Sequence, residues 1–251
     1  MSKLKNKVAI VTGASKGIGA SIARYFAAEG AKVVVNYASD KEGADKVVQH
    51  ITTDGGAAVS VQGDVSKEAD VIRLFEETQK AFGTPDILVN NAAIYVYEPI
   101  EQVSIATINR HLNINVLGSI LTIREAVKLF GDKGGNIINI SSAASNFPMA
   151  TGSVYAATKA ALDAITVALS KELGVKNIRI NSILPGSVET EGTHTSGIIG
   201  SDFETKLVAN TPLGRMGQPD DIAKVAVFLA SNESAWITGE KIAVSGGIYG
   251  F

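Results

Sequence analysis

The chain contains no cysteine in 251 residues, which excludes disulfides, thiolate catalysis and cysteine-ligated metal sites. Histidine is nearly as scarce. His50, His111 and His194 are scattered without ligand spacing, so no metal centre is expected. His50 and His111 fall in helical contexts and read as surface or packing residues, and His194 reads as a solvated loop residue. An excess of charge of one sign is also missing. The 23 Lys and Arg against 25 Asp and Glu leave a formal charge of -2, too little to attract nucleic acid or an anionic membrane broadly. No apolar run approaches the roughly 18 residues that would span a bilayer. The start, Met1-Ser2-Lys3-Leu4-Lys5-Asn6-Lys7, leads into a short strand rather than a signal-peptide core, so a cytoplasmic location is expected. The single tryptophan, Trp236, is expected to pack structurally.

What the chain does have is a regular alternation of short Val/Ile-rich runs with helical stretches, the pattern of a parallel sheet covered on both faces. Strands are expected near 8–13, 32–37, 57–63, 86–91, 135–141, 177–184 and 241–245. With 45% hydrophobic residues and no linker, repeat or low-complexity segment, residues 1–251 read as one α/β domain. The long irregular stretch 186–218, rich in Gly, Ser and Thr, reads as a substrate lid.

Two patterns carry chemistry. The first is a strand, glycine turn and helix: Val8-Ala9-Ile10-Val11 runs into Thr12-Gly13-Ala14-Ser15-Lys16-Gly17-Ile18-Gly19, and then Ile22, Ala23, Phe26 and Ala27 follow a helical period. Glycines at 13, 17 and 19 let the backbone turn tightly and approach a pyrophosphate, whose charge meets unpaired N–H groups at the helix start. The second is Tyr155 with Lys159. An offset of four residues on a helix puts the phenol and the ammonium on one face, and a nearby cation favours the phenolate, moving the phenol toward neutrality. Ser141-Ser142 follow the apolar run 136–140, adding a hydroxyl at a strand end. Together these groups suggest carbonyl/alcohol chemistry.

In this order the motifs resemble the short-chain dehydrogenase/reductase family over nearly the whole chain. The turn from Thr12 to Gly19, Asn90-Asn91-Ala92-Ala93, Asn115-Val116-Leu117-Gly118, Ser142, Tyr155 with Lys159, and Pro185-Gly186 followed by Thr190 carry the likeness. Ala93 stands where the family more often has glycine, which narrows the space beside the nicotinamide. The resemblance implies a single-domain Rossmann fold, a seven-stranded parallel sheet in the order 3-2-1-4-5-6-7 with helices on both faces. It also implies that Tyr155 is the general acid in reduction, that Ser142 bonds the substrate oxygen, and that Lys159 lowers the Tyr155 pKa and holds the nicotinamide ribose. Asn115 is implied to interrupt its helix so that a water links the lysine to solvent, a role that fits Asn115 better than Asn113 because Gly118 lies three residues on. Asp64-Val65 resembles the adenine contact, and Pro185-Gly186, Val188 and Thr190 the segment that fixes the carboxamide and pyrophosphate. The small-residue face formed by the alanines at 156, 160, 161, 164 and 168 is implied to help build a homotetramer.

Cofactor choice rests on the end of the second strand, Asn36-Tyr37-Ala38-Ser39. Enzymes that read NAD place a carboxylate here, which Asn36 is not. Lys16 offers a cation, and Tyr37 and Ser39 offer donors, to a 2′-phosphate, so NADP(H) is favoured over NAD(H). The candidate substrate pocket, Tyr95, Val96, Tyr97, Phe147, Pro148, Met149, Ile198 and Ile199, is mostly apolar and favours a hydrophobic ketone or aldehyde. A 3-oxoacyl thioester reductase and a sugar dehydrogenase such as a glucose 1-dehydrogenase remain alternatives. Glu189, Glu191, Asp202 and Glu204 in the lid, against Lys206 and Arg215, make a poor landing site for an acidic carrier protein. A nucleotide-binding sensor without turnover would not need Asn115, Ser142, Tyr155 and Lys159 together.

Overall fold

A computed structural model describes residues 2–248. Strands β1 (Val8–Val11), β2 (Lys32–Tyr37), β3 (Ala57–Gln62), β4 (Ile87–Asn90), β5 (Gly135–Ile140), β6 (Ile178–Pro185) and β7 (Lys241–Val244) form one parallel sheet in the order β3-β2-β1-β4-β5-β6-β7, as expected. Register sets Ile10 beside Val34 on one side and Leu88 on the other. Side chains alternate across the sheet, so the odd-numbered Ala9, Val11, Val33, Val35 and Val89 share one core. There they meet Ile22 and Phe26 of α1 (Gly17–Ala28), Val47 and Ile51 of α2 (Lys41–Thr53), and Ile222 and Ala226 of the later helix Pro219–Ala230. Ile10, Val34, Leu88, Ile137 and Ile180 face the other core. That core is closed by Leu74 and Phe75 of α3 (Glu68–Phe82), and by Ala126 and Phe130 of the helix Gly118–Phe130. Each fully buried Leu, Ile or Phe contributes about 1.5–3 kcal/mol, which explains why the strands read as continuous apolar runs.

The remaining helices are α4 (Ile105–His111), α5 (Gly118–Phe130), α6 (Ser153–Leu173), α7 (Glu191–Thr195), α8 (Asp202–Ala209) and α9 (Pro219–Ala230). No helix among the described residues is long and apolar enough to cross a membrane.

Three expectations change. First, the stretch 186–218 is not uniformly irregular. Thr190 accepts from the Thr193 N–H and caps α7, and Ser201 accepts from the Glu204 N–H and caps α8, local signals hidden by the surrounding glycines. Second, Trp236 is 100% exposed, because its neighbours make the inward contacts: the Ser234 hydroxyl donates to the Leu229 carbonyl, and Ile237 packs on the core. Third, Ala156 is buried and Ala161 is half-buried, so the exposed small-residue row of α6 is Ala157, Ala160, Ala164 and Ala168.

Candidate active site

The turn after β1 is folded onto the end of β4. The Thr12 hydroxyl donates to the Val89 carbonyl (3.2 Å) and accepts from the N–H groups of Asn91 and Ala92 (3.0 Å each). The Asn91 amide donates to the carbonyls of Thr12 and Gly13 at 2.9 Å. Gly13 has φ +59°, and a Cβ there would lie 2.8 Å from the Ala92 Cα; on Gly19 it would lie 2.7 Å from the Gly13 carbonyl oxygen. The turn is thus a cradle that only glycine leaves open, and it fits a pyrophosphate at the start of α1. Ile18 packs on the core, while Lys16 is exposed with its Nζ 3.8 Å from Asp40. Ser15, Lys16 and Gly17 line a cleft of about 900 Å³ with Thr190, Glu191 and His194. The Gly17 N–H donates to the Glu191 carboxylate at 2.9 Å. Sequence reasoning missed this contact between the glycine turn and α7, because 174 residues separate its partners.

Asn36 does not sit where the sequence reading put it. It is buried, its Oδ1 accepts from the Gly13 N–H (3.3 Å), and its Nδ2 donates to the carbonyls of Val61 (3.3 Å) and Gly63 (3.0 Å). It therefore clamps the glycine turn, β2 and the end of β3 together instead of offering a side chain to a ribose. Tyr37 is buried too, which leaves Ala38 and Ser39 exposed beyond it. Asn36→Asp is expected to aim a carboxylate at two carbonyls and to cost about 2–4 kcal/mol. In a thermal melt this should lower Tm by roughly 5–15 °C. An unchanged Tm would show that the side chain is not a clamp. Asp64 accepts from the Ser66 N–H and hydroxyl, and Val65 is buried so closely against Gly118 that a Cβ on that glycine would lie 2.7 Å from it.

The catalytic candidates converge from three elements. β5 delivers Ser141 and Ser142, and the Ser142 hydroxyl accepts from the Ala144 N–H at 3.1 Å, fixing a tight turn over 143–145. α6 presents Tyr155 and Lys159 on one face, with the Ser142 side chain near enough to the Tyr155 phenol to pull its pKa down. Asn115 lies in a π-helical segment, Leu112–Leu117, so the helix is interrupted there as expected. Its amide donates to the Ile94 carbonyl (2.9 Å) and the Thr158 hydroxyl (3.0 Å), and its Oδ1 accepts from the Ile94 N–H (2.9 Å), whereas Asn113 is exposed.

The proton inventory departs from the expectation that Lys159 lowers the Tyr155 pKa. Burial raises that pKa, and the phenols of Tyr97 and Tyr95 raise it further, against the opposing bond from Ser142. Lys159 points its ammonium elsewhere: Nζ donates to the Ile140 carbonyl at 2.7 Å and stands 5.8 Å from the Tyr155 ring centroid. Burial lowers the Lys159 pKa to about 8, with Asp163 pulling the other way. Asp163, which the sequence reading did not single out, is buried and accepts from the Ser145 hydroxyl at 2.6 Å.

On the substrate side, Tyr95 and Tyr97 reach the Tyr155 ring, at centroid distances of 6.3 and 5.9 Å. Val96, Phe147, Pro148 and Met149 are exposed, and Ile198 and Ile199 are half-buried between α7 and α8. Ala93 is half-buried. Pro185 ends β6, the Gly186 N–H donates to the Val244 carbonyl, and Val188 bridges to Gly217. His194 lies 2.9 Å from a Glu189 carboxylate oxygen in an exposed pair, in keeping with a solvated role. His111 is fully buried. Among the described residues no cluster of acids and histidines could hold a metal ion.

Residues 13–249 match a family model described as enoyl-(acyl carrier protein) reductase. The chain is 54% identical over 248 residues to an uncharacterised oxidoreductase of Methylorubrum extorquens, covering 99% of this chain and 100% of that one. It is 40% identical to 3beta-hydroxysteroid dehydrogenase 1 of Eggerthella lenta, covering 98% of this chain and 94% of that one. Among solved structures it is similar to an angucycline C-6 ketoreductase with bound NADP (TM-score 0.92, 34% identity, 99% of this chain and 97% of that one). It is also similar to a short-chain dehydrogenase/reductase of Serratia marcescens (TM-score 0.92, 33% identity, 98% and 99% covered). The chain belongs to the short-chain dehydrogenase/reductase family. It is an NAD(P)-dependent oxidoreductase.

Proposed function

We propose that this enzyme reduces a ketone or aldehyde to an alcohol with NADP(H), and that Tyr155 supplies the proton. The observation that carries the reading is a phenol kept protonated by burial and by two neighbouring phenols, with the Ser142 side chain beside it. When bound, NADPH supplies the hydride. Tyr155 gives its proton to the carbonyl oxygen, and Ser142 bonds that oxygen as its charge develops. Lys159 holds the Ile140 carbonyl at the end of β5, two residues before Ser142, and would contact the nicotinamide ribose, while Asn115 holds the Ile94 backbone.

The nucleotide is held by Gly13, Ser15, Lys16, Gly17, Ile18 and Gly19, by Ala38, Ser39, Asp64 and Val65, by Asn91, Ala92 and Ala93, and by Pro185, Gly186, Val188 and Thr190. Asn36 and Tyr37 act from beneath this surface. The exposed Lys16 and the lack of a carboxylate at the end of β2 support NADP(H), as does the bound NADP of the ketoreductase neighbour. The acidic lid argues against an acyl carrier substrate. The exposed alanines of α6 and Trp236 support a homotetramer. Steady-state kinetics with aryl ketones, an acetoacetyl thioester and, with NADP, glucose test the reading: ketone reduction supports it, and glucose oxidation as the dominant activity overturns it.

Glu191 holds the Gly17 N–H that an incoming pyrophosphate would take. Glu191→Ala is therefore expected to tighten NADPH binding by about 2- to 5-fold in a fluorescence titration, the scale of one exposed charge contact. Weaker binding would show that the carboxylate assists the nucleotide rather than competing with it.

A further inference from the structure

We propose that Tyr95 and Tyr97 form, with Tyr155, a wall that selects flat aromatic ketones, and that His111 is the positioning residue that holds it. This rests on the reductase reading above and adds a substrate class to it.

The wall is built by backbone ties on alternate residues. Ile94 is gripped at both its N–H and its carbonyl by the Asn115 amide, and the Glu98 N–H donates to the Thr151 carbonyl at 2.9 Å. Between them the Val96 N–H donates to His111 Nε2 at 3.2 Å. His111 is fully buried, and its Nδ1 donates to the Thr107 carbonyl at 2.9 Å, which leaves Nε2 as the acceptor for Val96. Residues 94, 96 and 98 are thus fixed to the π segment, α4 and the turn before α6, respectively. Residues 95 and 97, between the ties, send their rings toward Tyr155.

Two glycines make room for those rings. A Cβ on Gly152 would lie 2.9 Å from Tyr97 Cε1, and one on Gly192 would overlap the Tyr95 hydroxyl. Gly152 has φ -101°, a conformation any residue adopts, so its backbone does not demand glycine; the ring beside it does. The three rings stand 5.9 to 6.5 Å apart in tilted and edge-on arrangements, while Tyr95 and Tyr97 stay about 40% exposed. A planar ring can fit such a surface in the offset or edge-on geometry that aromatic pairs prefer, a gain that a small aliphatic ketone lacks. Burial raises the pKa of both Tyr95 and Tyr97, so the wall remains uncharged.

The test compares 1-tetralone with 2-butanone as NADPH-dependent substrates of wild type, His111→Leu, His111→Gln and Gly152→Ala, with Tm measured for each. Wild type is expected to favour 1-tetralone. His111→Leu should raise KM for 1-tetralone about 5- to 10-fold and change kcat/KM for 2-butanone less than twofold, the scale of one or two aromatic pairings. His111→Gln, whose amide oxygen can accept from the Val96 N–H, should recover most of the loss. Gly152→Ala should lower Tm only slightly, since the part-exposed Tyr97 ring can swing away from the new Cβ, and should raise KM for 1-tetralone more than for 2-butanone. That selectivity separates ring positioning from stability, and it stands even if His111→Leu fails to fold. Equal effects on both ketones, no recovery by glutamine, or an unchanged KM in Gly152→Ala would overturn the proposal while leaving the reductase reading intact. Turnover of neither ketone by wild type would overturn both.

Discussion

Tyr155→Phe is expected to lower kcat by at least about 10²-fold while leaving NADPH affinity within a factor of about two. The ring stays, so its packing against Tyr95 and Tyr97 and the packing of α6 survive, and only the hydroxyl beside Ser142 is removed. Burial and neighbouring phenols keep this hydroxyl protonated well above neutrality, the state needed to donate. The deficit should therefore appear in kcat rather than in KM. Steady-state kinetics with a saturating ketone, together with a nucleotide titration, separate the two. Near-normal turnover would remove Tyr155 from the mechanism.

Lys159→Met should lower kcat by at least about tenfold and weaken NADPH binding, because the ammonium is assigned both to holding the end of β5 that carries Ser142 and to the ribose. Methionine keeps most of the buried volume, but it leaves the Ile140 carbonyl without its donor. The pH dependence is a second signature. Lys159 in the fold loses its charge as pH rises through about 8, so wild-type reduction should decline above that pH and the Met variant should lack this limb. The stability sign is opposite. Between about 8 and the ordinary value of 10.5, the unfolded chain holds more protons at this site than the folded one. The contribution of Lys159 to stability therefore rises with pH across that window, and the Met variant should lack the rise. Equal pH profiles in the two proteins would show that another group titrates there.

The glycine turn and the strands were legible because local patterns dictate them, while their order came from right-handed crossovers and the family resemblance: β1 cannot continue past Val11 once Gly13 adopts positive φ, and period-two burial follows directly from Val/Ile runs. Tyr155 with Lys159 was legible as a helical pair for the same reason, and the expected break at Asn115 is present. Contacts across long stretches of chain were not legible. Asn36 read as a residue at the end of the second strand facing the cofactor ribose, and its partners Gly13, Val61 and Gly63 become apparent only when three strands align. Lys159 looked like the modifier of a phenol, but an offset of four residues fixes the face of the helix and not the direction of a long, flexible side chain. Glu191 and Asp163 sat among ordinary charged residues, and nothing local distinguishes them from the solvated acids nearby.

The central claim is that Tyr155 delivers the proton in an NADPH-dependent ketone reduction. Its most direct measurement mixes wild type and Tyr155→Phe, each loaded with one equivalent of NADPH, with 1-tetralone and follows alcohol formed and nucleotide oxidised in a single turnover. Wild type should form one alcohol per NADPH consumed, and the equally loaded variant should do so at least about 10²-fold more slowly. Loaded wild type that forms no alcohol, or two proteins that react at the same rate, would contradict the account.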